Sequence, residues 1–258
     1  MTTTPPAGPP CIPDHSVPVP CPGCTHDEKG PHAMTTTADE PQGLRVAPGA
    51  LTPSKGRSIP VPAPAYPGDP LPGAVAFKAG VRAWLEARGL DPDGPDLVDT
   101  PQRVLAALNE FTAGYAEDPA VHLARTFPAE HSGTPIVVTG VPFTSLCAHH
   151  LLPFHGHADI AYVPSEGQPV AGLSKLPRVL DVYARRLQTQ EDLTRQVVDA
   201  LDKHLQPAGA ACVIRSEHGC LAHRGARKPG AVMVTTSYSG IFLDSHQARA
   251  ELHRLMSG

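Results

Sequence analysis

Residues 145–156 read Ser-Leu-Cys-Ala-His-His-Leu-Leu-Pro-Phe-His-Gly, so Cys147, His149 and His150 place one thiol and two imidazoles within four positions. Thiolate with imidazole is ligand chemistry for zinc. Further along comes His218-Gly219-Cys220, followed by Arg224. If that segment is extended, residues 218 and 220 point to one face and Gly219 to the other, so a second Cys/His pair converges there. Cys147, one of His149 and His150, and Cys220 would give three protein ligands. That leaves a fourth position for water, as a catalytic zinc requires. His218 as a fourth ligand would close the site and make it structural, and spacing alone does not choose. Two features favour the open site. His-x-Cys is not the Cys-x2-Cys knuckle of structural zinc ribbons. The chain is also rich in polar residues that a knuckle does not need: Ser174, Lys175, Gln190, Glu191 and Arg224.

The elements between the clusters must bring them together. Residues 135–141 are β-branched and bounded by turn residues, which predicts a strand; residues 155–163 alternate and predict a second. Ser174 begins a helix with the stripe Leu176, Val179, Leu180, Tyr183 and Leu187, while Lys175 and Arg178 share a different face. Thr189-x-x-Asp192 has the form of a capping box. It opens a helix in which Leu193, Val197, Leu201 and Leu205 repeat, with Gln190 and Glu191 in the first turn and Pro207 and Gly209 ending it. Residues 210–216 read as a strand running into His218 and Cys220, residues 231–239 as another, and 245–256 as an amphipathic helix. Upstream, Val75, Phe77, Val81, Trp84 and Leu85 recur at helical spacing until Gly89. A second helix opens at Asp99-Thr100-Pro101, with Thr100 as N-cap, Pro101 at the first helical position, and Val104, Leu105, Leu108 and Phe111 as its apolar face. Strand, strand, helix, helix, strand, strand predicts an α+β domain with an antiparallel sheet.

Composition separates this domain from what precedes it. Of 31 prolines, 18 lie before residue 74, in a stretch without apolar periodicity. Residues 1–73 are therefore expected to be a disordered Pro-rich tail and linker, and 74–258 a single domain. Cys21-x2-Cys24-x-His26 in the tail could hold a metal, but incidental thiols in a Pro-rich tail are the simpler reading. Met1-Thr-Thr-Thr recurs as Met34-Thr-Thr-Thr, which makes Met34 a second candidate start. The net charge of −4 is not segregated, so no nucleic-acid footprint is expected. No long apolar run predicts a membrane span, and no apolar segment at the N-terminus predicts secretion. Six cysteines, two beside histidines, fit a metal in a reducing cytoplasm better than a disulfide framework.

Five stretches together resemble the zinc-dependent GTP cyclohydrolase I family. They are Asp99-Thr-Pro-x-Arg103, Ser-Leu-Cys147-x-His-His150-Leu-x-Pro-Phe, Gly172-Leu-Ser-Lys175-Leu-x-Arg178, Arg185-Arg-Leu-Gln-x-Gln190-Glu191, and His218-x-Cys220-x3-Arg224-Gly225. The resemblance covers about 75–256, with the motifs in order. It implies a tunnelling fold, in which β-hairpins flank two helices, with helices N-terminal to it. It implies subunits joined sheet to sheet in a homodecamer, with active sites between subunits; edge strands of a small sheet need such partners. It also implies a reaction. Water adds to C8 of GTP, the imidazole ring opens and formate leaves. The ribose then rearranges and closes to give 7,8-dihydroneopterin triphosphate.

The resemblance assigns zinc to Cys147, His150 and Cys220, and places His149 and His218 at the reacting ring, where imidazole titrates near working pH. Ser174 is its candidate for the ribose rearrangement, although a plain helix N-cap would look the same. Glu191, with Gln190 beside it, would recognise the guanine N1–H and 2-amino group. Lys175, Arg178 and Arg224 would take the triphosphate, where charge-assisted contacts dominate. Arg185, Arg186, Arg227 and Lys228 are expected to be solvated, and Cys212 a buried small hydrophobe. One position departs from the pattern: Ala148 stands where the family usually carries Glu. A carboxylate there could orient a histidine, balance an arginine or relay a proton. Zinc binding is expected to survive its loss. The alternatives are a reaction altered or halted after ring opening, a related purine as substrate, or a non-catalytic nucleotide-binding module.

Overall fold

The β-branched run Ile136-Val-Val nucleates a strand longer than its composition suggests. Antiparallel pairing carries it through Leu146, opposite Pro153, to Cys147. The structure, a computed structural model, describes residues 73–128 and 133–257; the expectations for the Pro-rich tail, Cys21, Cys24, His26 and Met34 fall outside them. In chain order the elements are α1 (Ala74–Glu86), α2 (Thr100–Phe111), a 3-10 turn (Ala113–Ala116), α3 (Pro119–Leu123) and β1 (Thr126–Phe127). Next come β2 (Ile136–Cys147), β3 (Pro153–Val163), β4 (Val170–Ala171), α4 (Lys175–Ala184), β5 (Leu187–Gln188) and α5 (Gln190–Leu205). The last are β6 (Gly209–His218), α6 (Gly219–Ala222), β7 (Val232–Tyr238), α7 (Ile241–Asp244) and α8 (His246–Met256).

The expected α+β architecture is present. One sheet runs β5-β2-β3-β6-β7, antiparallel except for the two-residue parallel pairing of β5 with β2. Period-two alternation splits its side chains between two layers. Phe154, Ala158, Ile160 and Tyr162 of β3, with Cys212 and Ile214 of β6, meet Leu176, Val179 and Leu180 of α4 and Leu193, Val197 and Leu201 of α5. Ala161, Val163, Ala211 and Val213 turn the other way, onto Phe242, Leu252 and Met256 of α7 and α8. Each fully buried leucine or isoleucine here contributes about 1.5–3 kcal/mol. This double coverage explains why β6 is buried from Gly209 to Ile214 and reads as a continuous apolar run. Cys212 is completely buried, as expected.

Several local expectations are corrected. The cap position of α2 is Asp99 rather than Thr100, and the Asp99 carboxylate pairs with Arg103 at 3.0 Å instead of capping. Leu85 is buried, but Val75 is 76% and Trp84 58% exposed, so most of the apolar stripe of α1 finds no cover among the described residues. Arg186 is not a solvated charge. Its guanidinium donates to Gly114 O, Val182 O and Glu117 O and lies 4.9 Å over the Tyr183 ring, clamping the 3-10 turn to the end of α4. Among the described residues, no helix is long and apolar enough to cross a membrane.

Candidate active site and metal centre

The backbone turn after β2 presents the first donors. Cys147 O accepts from the N–H groups of His150 and Leu151, and Cys147 N–H donates to Leu152 O. This tight reversal puts Leu151 at φ 52°, a left-handed conformation that costs a non-glycine residue about 1–2 kcal/mol. It swings His150 back so that Nδ1 lies 3.6 Å from Cys147 Sγ. His149 Nδ1 lies 3.9 Å from the same sulfur.

The second cluster arrives by strand register. β6 pairs with β3 so that His218 stands opposite Phe154, at the same end of the sheet as Cys147. The expectation that 218–220 continue as strand is corrected here: β6 ends at His218, and Cys220 sits in the helical turn α6. A Cβ on Gly219 would meet Pro153 O at 2.8 Å, so only glycine lets this turn pack so closely on the start of β3. The donor atoms of Cys147, His150 and Cys220 all lie within 4.8 Å of one another. For metal bonds of the usual lengths, tetrahedral donors stand roughly 3.3–3.8 Å apart. The Cys147–His150 separation of 3.6 Å falls in that range, and Cys220, with its sulfur within 4.8 Å of both, completes a set of three donors able to hold a metal ion. His149 and His218 stand outside the trio, which leaves a three-donor site.

Electrostatics agree with that fit. Burial pushes the Cys220 thiol above its ordinary value, and the adjacent Cys147 pushes it further; Arg224 acts in the opposite direction. Two thiols this close resist joint ionisation until a cation compensates them. His218 is shifted the other way. Burial lowers its pKa, partly offset by Glu191, which favours the neutral ring. A cleft of about 370 Å³ holds the trio together with His149, His218, Gln190 and Glu191. A larger cavity of about 650 Å³, lined in part by Phe111, Phe143 and His155, contains none of the thiols.

The start of α5 positions the remaining groups. Thr189 Oγ1 accepts from Asp192 N–H, so the predicted cap is present. Glu191 is exposed in the first turn. Gln190 is completely buried, and its amide is fully engaged by protein. His218 lies flat on Phe154, with ring centroids 4.6 Å apart. Sequence reasoning missed Phe154 and Ser216 as neighbours of the site. Only the cross-strand register, which no local pattern reveals, places them there.

The other expected residues are not brought to this cleft. Ala171 N–H donates to the Tyr162 hydroxyl at 2.9 Å, tying the approach to α4 to the far end of β3. Tyr162 is eight positions along β3 from Phe154, the partner of His218, which is about 26 Å. Ser174, Lys175 and Arg178 at the start of α4 are therefore remote from the metal trio of their own chain. Ser174 makes no capping bond with its side chain. Arg224 lies on the trio's side, two residues beyond α6.

Comparison with known proteins places this arrangement. The family pattern described as GTP cyclohydrolase I matches residues 77–257. The chain belongs to the GTP cyclohydrolase I family. Within the family, it is 47% identical over 180 residues to GTP cyclohydrolase 1 of Carboxydothermus hydrogenoformans, covering 70% of this chain and 93% of that protein. It is 45% identical over 176 residues to GTP cyclohydrolase 1 of Geobacillus kaustophilus, covering 68% and 93%. GTP cyclohydrolase 1 of Thermobifida fusca is 45% identical over 182 residues, covering 70% and 87%. Among solved structures, the archaeosine synthase QueF-Like in the apo form is similar at 15% identity and a TM-score of 0.34, covering 43% of this chain and 97% of that one. The matched family segment includes all five motifs and excludes the Pro-rich stretch.

Proposed function

We propose that this chain is a zinc-dependent GTP cyclohydrolase I that opens the imidazole ring of GTP at C8, releases formate and forms 7,8-dihydroneopterin triphosphate for pterin and folate biosynthesis. The observation that carries this reading is the Cys147–His150–Cys220 trio sharing one cleft with His149, His218 and Glu191. Zinc held by that trio supplies a Lewis acid that makes water nucleophilic near neutral pH. The chain's own residues do the rest. C8 accepts a nucleophile when N7 is protonated or hydrogen-bonded, and His218 and His149 are the groups that hold that proton. The neutral ring of His218 has one donor and one acceptor nitrogen, so it can take or give a proton. Glu191, at the mouth of the cleft, accepts from the guanine N1–H and 2-amino group. Arg224 stands beside the trio and meets the triphosphate together with Lys175 and Arg178.

The separation of Ser174, Lys175 and Arg178 from the trio supports an active site assembled between subunits. One chain provides the metal and guanine side, and a neighbour provides the start of its α4. The uncapped Ser174 hydroxyl, assigned to the ribose rearrangement, then faces the neighbour's substrate. A homodecamer of tunnelling-fold subunits, acting in the cytoplasm, is the assembly that fits this division. The uncovered stripe of α1 and the edge strand β7 are surfaces such an assembly would bury.

The test is product analysis. Zinc-loaded protein incubated with GTP is expected to release formate and the dihydroneopterin triphosphate in equal amounts, by mass spectrometry. Formate, or a ring-opened formamide, without the pterin would assign to Ala148 a reaction halted after ring opening. No consumption of GTP with zinc in place would remove this reading in favour of another purine or a binding module.

A further inference from the structure

Gln190 was expected beside the guanine, yet it is completely buried and spends its whole amide on protein groups. Its Nε2 lies 3.1 Å from each of three atoms: Ile214 O, Met233 O and Thr235 Oγ1. The two carbonyls can only accept. Thr235 Oγ1 is also an acceptor here, by elimination. Thr194 Oγ1 gives its proton to Gln190 O at 2.7 Å, so the 2.6 Å contact between the two threonines uses the Thr235 proton. Turning the amide over would set Oε1 against two carbonyl oxygens, so only one orientation is consistent with these neighbours.

That orientation decides the far side of the amide. Oε1 accepts from Ser216 Oγ at 2.6 Å and faces His218 Nε2 at 2.8 Å. An amide oxygen carries no proton, so His218 Nε2 must be the donor. In the neutral ring the lone pair is then on Nδ1. Stacking fixes the ring plane as well, since His218 and Phe154 are within 1° of parallel. Among the described residues, no hydrogen bond reaches His218 Nδ1.

We propose that Gln190 is a positioning residue. It acts through His218, holding the ring in the Nε2–H tautomer so that Nδ1 is the nitrogen that faces the substrate, takes up a proton and passes it on, and it makes no contact with substrate itself. The proposal rests on the reading of His218 as the proton-handling group in the cleft. The network supporting Gln190 spans β6, β7 and α5, so the tautomer is set by the fold before any ligand arrives.

The first measurement uses the unaltered zinc-loaded protein, labelled with ¹⁵N-histidine, with the His218 signals identified by their loss in His218→Gln. The nitrogen shifts are expected to show Nε2 protonated and Nδ1 bare. An Nδ1–H ring, or a mixture of tautomers, would overturn the proposal, and that result does not depend on turnover or on whether any Gln190 variant folds. The second measurement is steady-state kinetics of Gln190→Met with zinc content matched to the parent. Losing a group that orients a functional histidine is expected to lower kcat about 10- to 100-fold. KM for GTP should stay within about threefold, because no substrate contact is removed. A raised KM with kcat unchanged would instead make Gln190 a binding residue. Failure of the parent to act on GTP would remove the proposed function while leaving the tautomer measurement standing.

Discussion

His218 lies face to face with Phe154, the ring centroids 4.6 Å apart and the planes 1° from parallel. Phe154 is itself completely buried, and its ring meets Phe143 at 5.9 Å in an edge-on contact. A core aromatic thus serves as the wall against which a cleft histidine is held. Phe154→Ala should lower stability by about 3–5 kcal/mol in urea unfolding. Phe154→Leu keeps most of the volume and should cost less, yet it removes the flat surface. Its kcat on GTP should fall while zinc content is unchanged. Parent-like kcat in the leucine variant would mean that the stack does not position His218.

Gly219 is expected to be intolerant for a reason that helix propensity alone would miss. Any side chain there meets Pro153 O, and relief requires α6 to move and carry Cys220 away from Cys147. Gly219→Ala should therefore weaken zinc retention against a chelator at least as strongly as it lowers the unfolding midpoint. A variant that loses stability but keeps its zinc affinity would separate the turn from the metal centre.

Zinc affinity should rise with pH. Each thiol must lose its proton to bind, and burial together with Cys147 holds the Cys220 proton more tightly than usual. Protons are therefore released on binding, and raising the pH favours the bound state. With two thiols deprotonated, the association constant should climb by up to about 100-fold per pH unit between pH 7 and 8. Competition against a chelator of known proton linkage measures this slope. Stability of the metal-free chain moves with the opposite sign. The raised Cys220 value favours the folded form below the ordinary thiol range, and that benefit is lost as pH rises through the folded value.

The distance between the two halves of the expected site gives a complementation test. Cys220→Ser removes a metal donor, and Lys175→Ala removes a triphosphate cation; each alone should be inactive or nearly so. If one active site takes its trio from one chain and its lysine from another, random mixing of the two variants restores about a quarter of the sites. Recovery of activity on co-expression, with none on mixing the separately assembled proteins, is the expected outcome. No recovery on co-expression would place Lys175 in the same chain's site or outside the site altogether.

Much of this was legible from residue types and spacing. Cys147, the pair His149 and His150, and Cys220 are rare donors with no packing reason to cluster, and the family resemblance singled out His150. The stripes of α4 and α5 repeat because one face of each must leave water, and Thr189 caps α5 because its hydroxyl matches a free N–H. The stripes and the cap are local interactions, and local sequence is enough to specify them. Other features were decided by tertiary structure. Gln190 and Glu191 are neighbours with similar side chains, yet one is sealed under β6 and β7 and the other faces the cleft. That difference comes from the helical rotation of about 100° per residue combined with the position of the sheet. Phe154 became the partner of His218 through the register of β3 with β6, which is set by the whole hairpin. Arg186 became a clamp because carbonyls from a distant turn reach it. Ser174, Lys175 and Arg178 follow the cysteine cluster closely in sequence but lie a strand's length away from it, because the strand β3 runs away from Cys147 before α4 begins. Residue chemistry is carried by the chain itself, whereas the meeting of residues depends on how strands are paired and helices turned, which only the folded molecule determines.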